Sequence, residues 1–132
     1  MNDENVENAV NPESVIERLR RELGELVDTS PQTLETARAD HSGHRSAGAP
    51  LAMVRAQTVE HVQTTLRIAS RTATPVVVRG AGTGLAGAAN AGPGEIVLST
   101  AAMTGILEVR PDDLIAVVEP GILNADLNEH LA

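Results

Sequence analysis

Apolar and polar positions along the chain follow two periods. Val15, Ile16, Leu19, Leu23, Leu26 and Val27 recur at helical spacing, with Glu17, Arg18, Arg20, Arg21, Glu22 and Glu25 on the other face. This pattern predicts an amphipathic helix. Asn11-Pro12-Glu13 supplies its start: a cap, a proline at the first helical position and an acid in the first turn. The polar residues 1–10 before it are expected to fray. A second helix begins at Thr58 and places Val59, Val62, Leu66 and Ala69 on one face. It closes at Thr72-Ala73-Thr74-Pro75, because the residue before a proline avoids helical geometry. The period shortens in Leu51–Val54, Val76–Val78, Glu95–Ser99, Gly105–Arg110 and Leu114–Glu119, which read as strands. Val76–Val78, apolar and bounded by proline and glycine, reads as a buried one.

These elements arrange themselves in an order. Strand 51–54, helix 59–71 and strand 76–78 form a right-handed βαβ unit with parallel strands. The second strand delivers the glycine-rich stretch Gly80–Gly94 at its carboxyl end, where α/β sheets place ligands. Beyond residue 94 the pattern changes to strands joined by turns such as Pro111-Asp112-Asp113, an antiparallel meander. Pro120-Gly121 closes the last strand, and Asn124 caps a final helix with Leu127 and Leu131 on one side. The fold class expected is α+β, with residues 1–49 as a helical and turn-rich lead-in and residues 50–132 as the main domain. Within the lead-in, Ser30-Pro31 starts a short helix through Leu34 and Ala37.

Composition narrows the function. The chain has 132 residues and a net charge of −8, so it offers no basic face for nucleic acid and disfavours anionic membranes. It has no cysteine, which removes disulfides, zinc–thiolate sites and thiol catalysis. No apolar run approaches the ~20 residues of a membrane span, and the acidic Met1–Asn5 lacks a signal-peptide pattern, so the expectation is a cytosolic protein. Phe, Tyr and Trp are absent. The core must be assembled from Ala, Val, Leu and Ile, and modest stability is expected.

The candidate chemistry lies in Gly80, Gly82, Gly84 and Gly87, four glycines in eight residues. Glycines this close allow positive φ and close approach of a ligand, and successive N–H groups form an anion-binding concavity. Gly82, Gly84 and Gly87 match the spacing G-x-G-x-x-G, but that fingerprint needs a helix starting inside it, and Gly92-Pro93-Gly94 ends any helix too early. The phosphate loop ending in G-K-[ST] is excluded because the chain has no lysine. Arg79 either adds charge near a bound phosphate or pairs with a carboxylate at the strand end, the second being preferred. Thr83 either bonds a phosphate or braces the loop. Asp40, His41 and His44 are too few and too loosely placed for a metal site. His61 and His130 fall on helices and are expected to face solvent. No catalytic residue is assigned.

The stretch Pro75-Val76-Val77-Val78-Arg79-Gly80-Ala81-Gly82-Thr83-Gly84-Leu85-Ala86-Gly87 resembles the FAD-linked oxidases of the vanillyl-alcohol oxidase type, the PCMH-type FAD-binding fold. The nearest branch holds the FAD subunit of glycolate oxidase and the D-lactate dehydrogenases. Asp40 and Ser42 match a pattern that precedes the family's FAD domain, and Glu119-Pro120-Gly121 matches its corner after the meander. The resemblance implies that FAD is the cofactor, with its pyrophosphate wrapped by the loop. Pro75, Arg79, Gly80, Ala81, Gly82, Thr83, Gly84, Leu85 and Gly87 become the cofactor-binding set. Residues 80–87 hold no histidine, so attachment is expected to be non-covalent. The implied activity is oxidation of a small D-2-hydroxy acid such as D-lactate or glycolate. The family's second flavin-contacting segment and its substrate domain are not among these residues. The chain is therefore expected to be an N-terminal piece, working with a separate C-terminal fragment or an electron-transfer subunit. The alternative is a non-catalytic remnant or interaction module that binds no FAD tightly.

Overall fold

The structure, a computed structural model, describes residues 12–132; the expected cap at Asn11 and the frayed residues 1–10 lie outside it. Helix α1 spans Pro12–Leu23. It stops earlier than the apolar stripe suggests, because Gly24 turns left-handed (φ +53°) and a short 3-10 turn, Gly24–Leu26, follows. Val27 opens strand β1, Val27–Asp28. Helix α2, Pro31–Thr36, comes next, then β2 (Ala52–Arg55), α3 (Val59–Arg71), β3 (Val76–Arg79) and β4 (Ile96–Ser99). The chain continues as β5 (Ile106–Arg110), β6 (Ile115–Val118) and α4 (Asn124–Leu131).

The fold class is the mixed one expected, but the strand order was not legible. The sheet runs β1-β2-β4-β3. β4 inserts between β2 and β3 and is parallel to both, while β1 pairs antiparallel with β2. The strand after the glycine loop is thus the buried centre of the sheet, and β3 is its edge, with Val78 57% exposed. The meander is a single antiparallel hairpin, β5–β6, forming its own two-stranded sheet.

Alternation along β2 and β4 serves two cores. Ala52, Val54, Ile96 and Leu98 face α1 and α3, meeting Val15, Leu19, Leu23, Ile68 and Ala69. Met53 and Val97 face the other way, toward Leu34, Ala37 and Ala91. The second face of the sheet is therefore covered by α2 and by the segment that follows the glycine loop.

Helix α3 carries a correction. Val59 and Leu66 are exposed, and the buried positions are Thr65, Ile68 and Ala69. Thr65 tolerates burial because its hydroxyl donates to the His61 carbonyl at 2.8 Å, which satisfies it within the helix. Thr58 caps α3 as expected, accepting from the His61 N–H at 3.3 Å. His61 does not simply face solvent: it is half-buried, and its Nδ1 accepts from the Gln57 N–H at 3.2 Å. The cap of α4 is Leu123, not Asn124.

Asp28 makes the β1–α2 connection acid-sensitive. Its carboxylate accepts from the Ser30 hydroxyl at 2.7 Å and N–H at 2.8 Å, from the Thr33 hydroxyl at 2.8 Å and from Arg55 at 3.0 Å. These donors, led by Ser30, hold its carboxyl well below the usual value of 3.8. A carboxyl depressed in the folded state stabilises the fold above its unfolded pKa, and that contribution is lost as the pH falls. Stability should therefore drop below about pH 4. In Asp28→Asn the acid limb should be shallower by urea denaturation. Identical acid limbs would rule out this assignment.

Candidate functional site

Arg55, Ser99 and Arg79 are in register, so the three parallel strands end level. A cleft of about 280 Å³ opens at that carboxyl edge, lined in part by Arg55, Arg79, Gly80, Ala81, Ser99 and Ala101 and, across it, by Gln32, Thr33 and Thr36 of α2. No sequence signal placed α2 there, because its six residues carry no period long enough to show a face.

The glycine stretch leaves β3 as an irregular loop, with no helix before β4. Gly80, Ala81, Thr83, Gly84, Leu85 and Ala86 are exposed, Leu85 by 79%. Gly82 (φ +72°) and Gly87 (φ +77°) supply the left-handed turns. Among the described residues, the backbone N–H groups from Gly80 to Ala86 find no protein acceptor. Exposed and free of large side chains at alternate positions, this run of donors suits an anion with several oxygens.

The back of the loop is tied to the lead-in. Arg79 Nη1 donates to the carbonyls of Ala39 (3.0 Å) and Ala89 (3.2 Å). This corrects the preferred sequence reading: its partners are main-chain carbonyls, not a carboxylate. The His41 N–H donates to the Gly84 carbonyl at 2.9 Å, the Ala91 N–H to the Ala37 carbonyl at 3.0 Å, and Asn90 Nδ2 to the His44 carbonyl at 3.0 Å. The lead-in is itself pinned by Arg38, which donates to the Ser46 carbonyl from Nη2 (2.7 Å) and Nε (3.1 Å), and by the ion pair of Arg45 with Glu35.

The remaining candidates sit around this frame. The Pro75 carbonyl accepts from the Ile96 N–H at 3.0 Å and so fixes the start of β3 against β4. Thr83 is exposed and its hydroxyl bonds to no described residue, so it does not brace the loop. Asp40 is buried while His41 and His44 are exposed, so the three do not converge. His130 is exposed at the far end of the chain, beside a groove under β5–β6.

The corner Glu119-Pro120-Gly121 holds the hairpin to the end of β4. Glu119 Oε2 accepts from the Gly105 N–H at 2.8 Å, and the Gly121 N–H donates to the Met103 carbonyl at 2.8 Å. Among the described residues no helix is long and apolar enough to cross a membrane.

Comparison with known proteins shows the family and the fold. A family model described as "FAD binding domain" matches residues 50–132. D-2-hydroxyglutarate dehydrogenase of Stutzerimonas stutzeri is 40% identical over 83 residues, covering 63% of this chain and 18% of that protein. Glycolate oxidase subunit GlcD of Escherichia coli is 36% identical over 83 residues, covering 63% and 17%. The probable mitochondrial D-lactate dehydrogenase of Danio rerio is 30% identical over 120 residues, covering 90% and 24%. The chain thus spans less than a quarter of the length of these relatives. Among solved structures, p-cresol methylhydroxylase superposes with a TM-score of 0.76 at 26% identity, covering 90% of this chain and 24% of that one.

Proposed function

This chain belongs to the FAD binding domain family, its cofactor is FAD, and we propose that the loop Gly80–Gly87 holds the FAD pyrophosphate for an oxidoreductase acting on a small D-2-hydroxy acid. The observation that carries the first part is the run of unpaired N–H groups from Gly80 to Ala86 at the carboxyl edge of the sheet. Hydrogen bonds to a charged oxygen contribute ~1.5–3 kcal/mol each, so a few of them hold a pyrophosphate without lysine.

In this reading Gly80, Ala81, Thr83, Gly84 and Leu85 face the phosphates, buried Gly82 makes the left-handed turn that lets them do so, and Thr83 adds its free hydroxyl. Gly87 turns the chain back, Pro75 fixes the strand that carries the loop, and Arg79 acts from behind by holding the loop's shape. Residues 50–132 form the cofactor-binding unit, and the lead-in before them supplies the back wall. With no histidine at positions 80–87, the cofactor is held non-covalently. Bound FAD supplies the acceptor for a hydride from the hydroxyl-bearing carbon; this chain's residues supply binding and orientation. The substrate class is supported by the names of the relatives, D-2-hydroxyglutarate dehydrogenase and glycolate oxidase subunit among them.

The test is a visible absorbance spectrum after incubation with FAD and desalting. The polypeptide itself does not absorb in the visible, so a retained flavin band stands alone. A stoichiometric band is expected; a folded chain with no band would overturn the binding reading. A second reading, an interaction module without cofactor, draws on the exposed apolar side chains around the hairpin, Leu107 and Leu114 (93% exposed). It predicts self-association in a size measurement together with no flavin band.

A further inference from the structure

The lead-in residue Asp40 lies directly behind the loop, only 9% exposed. Its Oδ1 accepts from the Ser42 N–H at 2.9 Å. Its Oδ2, fully buried, has no partner among the described residues and lies 3.6 Å from the place a Cβ on Gly84 would occupy. The residues on either side of it also grip the loop. The Ala39 carbonyl takes the Arg79 guanidinium at 3.0 Å, and the His41 N–H bonds the Gly84 carbonyl at 2.9 Å.

The polarity of this arrangement is one-sided. The Ser42 hydroxyl and N–H, with the N–H groups of Ala89 and Gly87, hold the Asp40 carboxyl below the usual carboxylate range. The groups that act on the carboxylate are donors, and the nearby carbonyls of Ala39 and Ala89 accept from Arg79. A buried acceptor without a full set of donors is costly, and such a group needs a reason to be there. The loop offers one. A fixed negative charge behind it attracts the rear N–H groups, those of Gly87 and Ala89. The front ones, Gly80 to Ala86, have no protein acceptor among the described residues.

We propose that Asp40 is a positioning residue of the cofactor site: its carboxylate, behind Gly84, sorts the loop's N–H groups between a rear set and a front set that meets the pyrophosphate. The proposal rests on the loop reading given above, and the Ser42 N–H orients the carboxylate. Asparagine has the same shape, but it removes the charge and turns an NH₂ donor toward donors.

The experiment compares the wild-type chain with Asp40→Asn by FAD titration and by amide hydrogen exchange without FAD. The expected result is FAD affinity weakened at least about tenfold, with faster exchange confined to residues 87–91 and unchanged protection in α1, α3 and β2–β4. FAD affinity within about twofold of wild type would overturn the proposal. Exchange that rises across the whole chain would overturn it too, since it marks a merely structural residue. Should the wild-type chain itself take up no FAD, the loop reading fails. Exchange still decides the sorting role: unchanged rates at residues 87–91 in Asp40→Asn overturn it.

Discussion

Gly82→Val is expected to abolish FAD binding and to cost about 3 kcal/mol of stability. Gly82 is at φ +72°, where a β-branched residue is an outlier, with a left-handed penalty of ~1–2 kcal/mol. A Cβ there would also lie 2.6 Å from the guanidinium carbon of Arg79. Arg79 must then leave the carbonyls of Ala39 and Ala89, and hydrogen bonds to a charged group contribute ~1.5–3 kcal/mol each, part of which water restores. The loop comes away from its back wall and its N–H groups no longer converge. A urea melt and an FAD titration of the variant check both effects. Retained FAD at wild-type affinity would mean that the loop is not the site. Gly84→Val separates the two effects. Gly84 is exposed, has no positive φ, and its nearest neighbour to a new Cβ is Asp40 Oδ2 at 3.6 Å. It should keep the cores of the sheet as in wild type while pressing the loop off the buried Asp40 carboxylate, and so lose FAD.

The second large effect is at Gly121. A Cβ there would overlap the carbonyl of Thr100 and come within 2.9 Å of the Met103 carbonyl oxygen. Both are main-chain atoms and cannot swing aside, so Gly121→Ala must push the corner off the turn that ends β4. That breaks the Gly121–Met103 bond and strains the two between Glu119 and Gly105. Overpacking alone costs ~1–3 kcal/mol, and the lost bonds bring the expectation to about 3–4 kcal/mol. Hydrogen exchange should show the loss concentrated in β5–β6. A melt unchanged from wild type would show that the corner does not carry the hairpin.

Much of the fold was legible in the sequence because local signals were strong. Thr58, the turn at Thr72–Pro75 and the glycine run each fixed one boundary. The order of strands was not legible, since nothing local says that β4 slips between β2 and β3; the long loop merely permits it. The face of α3 was misread for a chemical reason. Val59 and Leu66 looked like core, while Thr65 looked polar, yet a hydroxyl that bonds its own helix behaves as an apolar surface. At the site, glycine spacing revealed the donors, but the partners of Arg79 are carbonyls, which every residue carries and no sequence marks. Asp40 was visible as part of a pattern with Ser42; its buried, unpaired oxygen was not.

The central claim is that the loop binds a pyrophosphate, and competition between ADP and FAD tests it most directly, since the two share that group. We expect ADP to displace FAD from the wild-type chain at a single site, and Gly84→Val, folded by circular dichroism, to bind neither. A folded Gly84→Val chain that retains wild-type affinity for FAD would contradict the account, as would FAD binding that ADP leaves untouched.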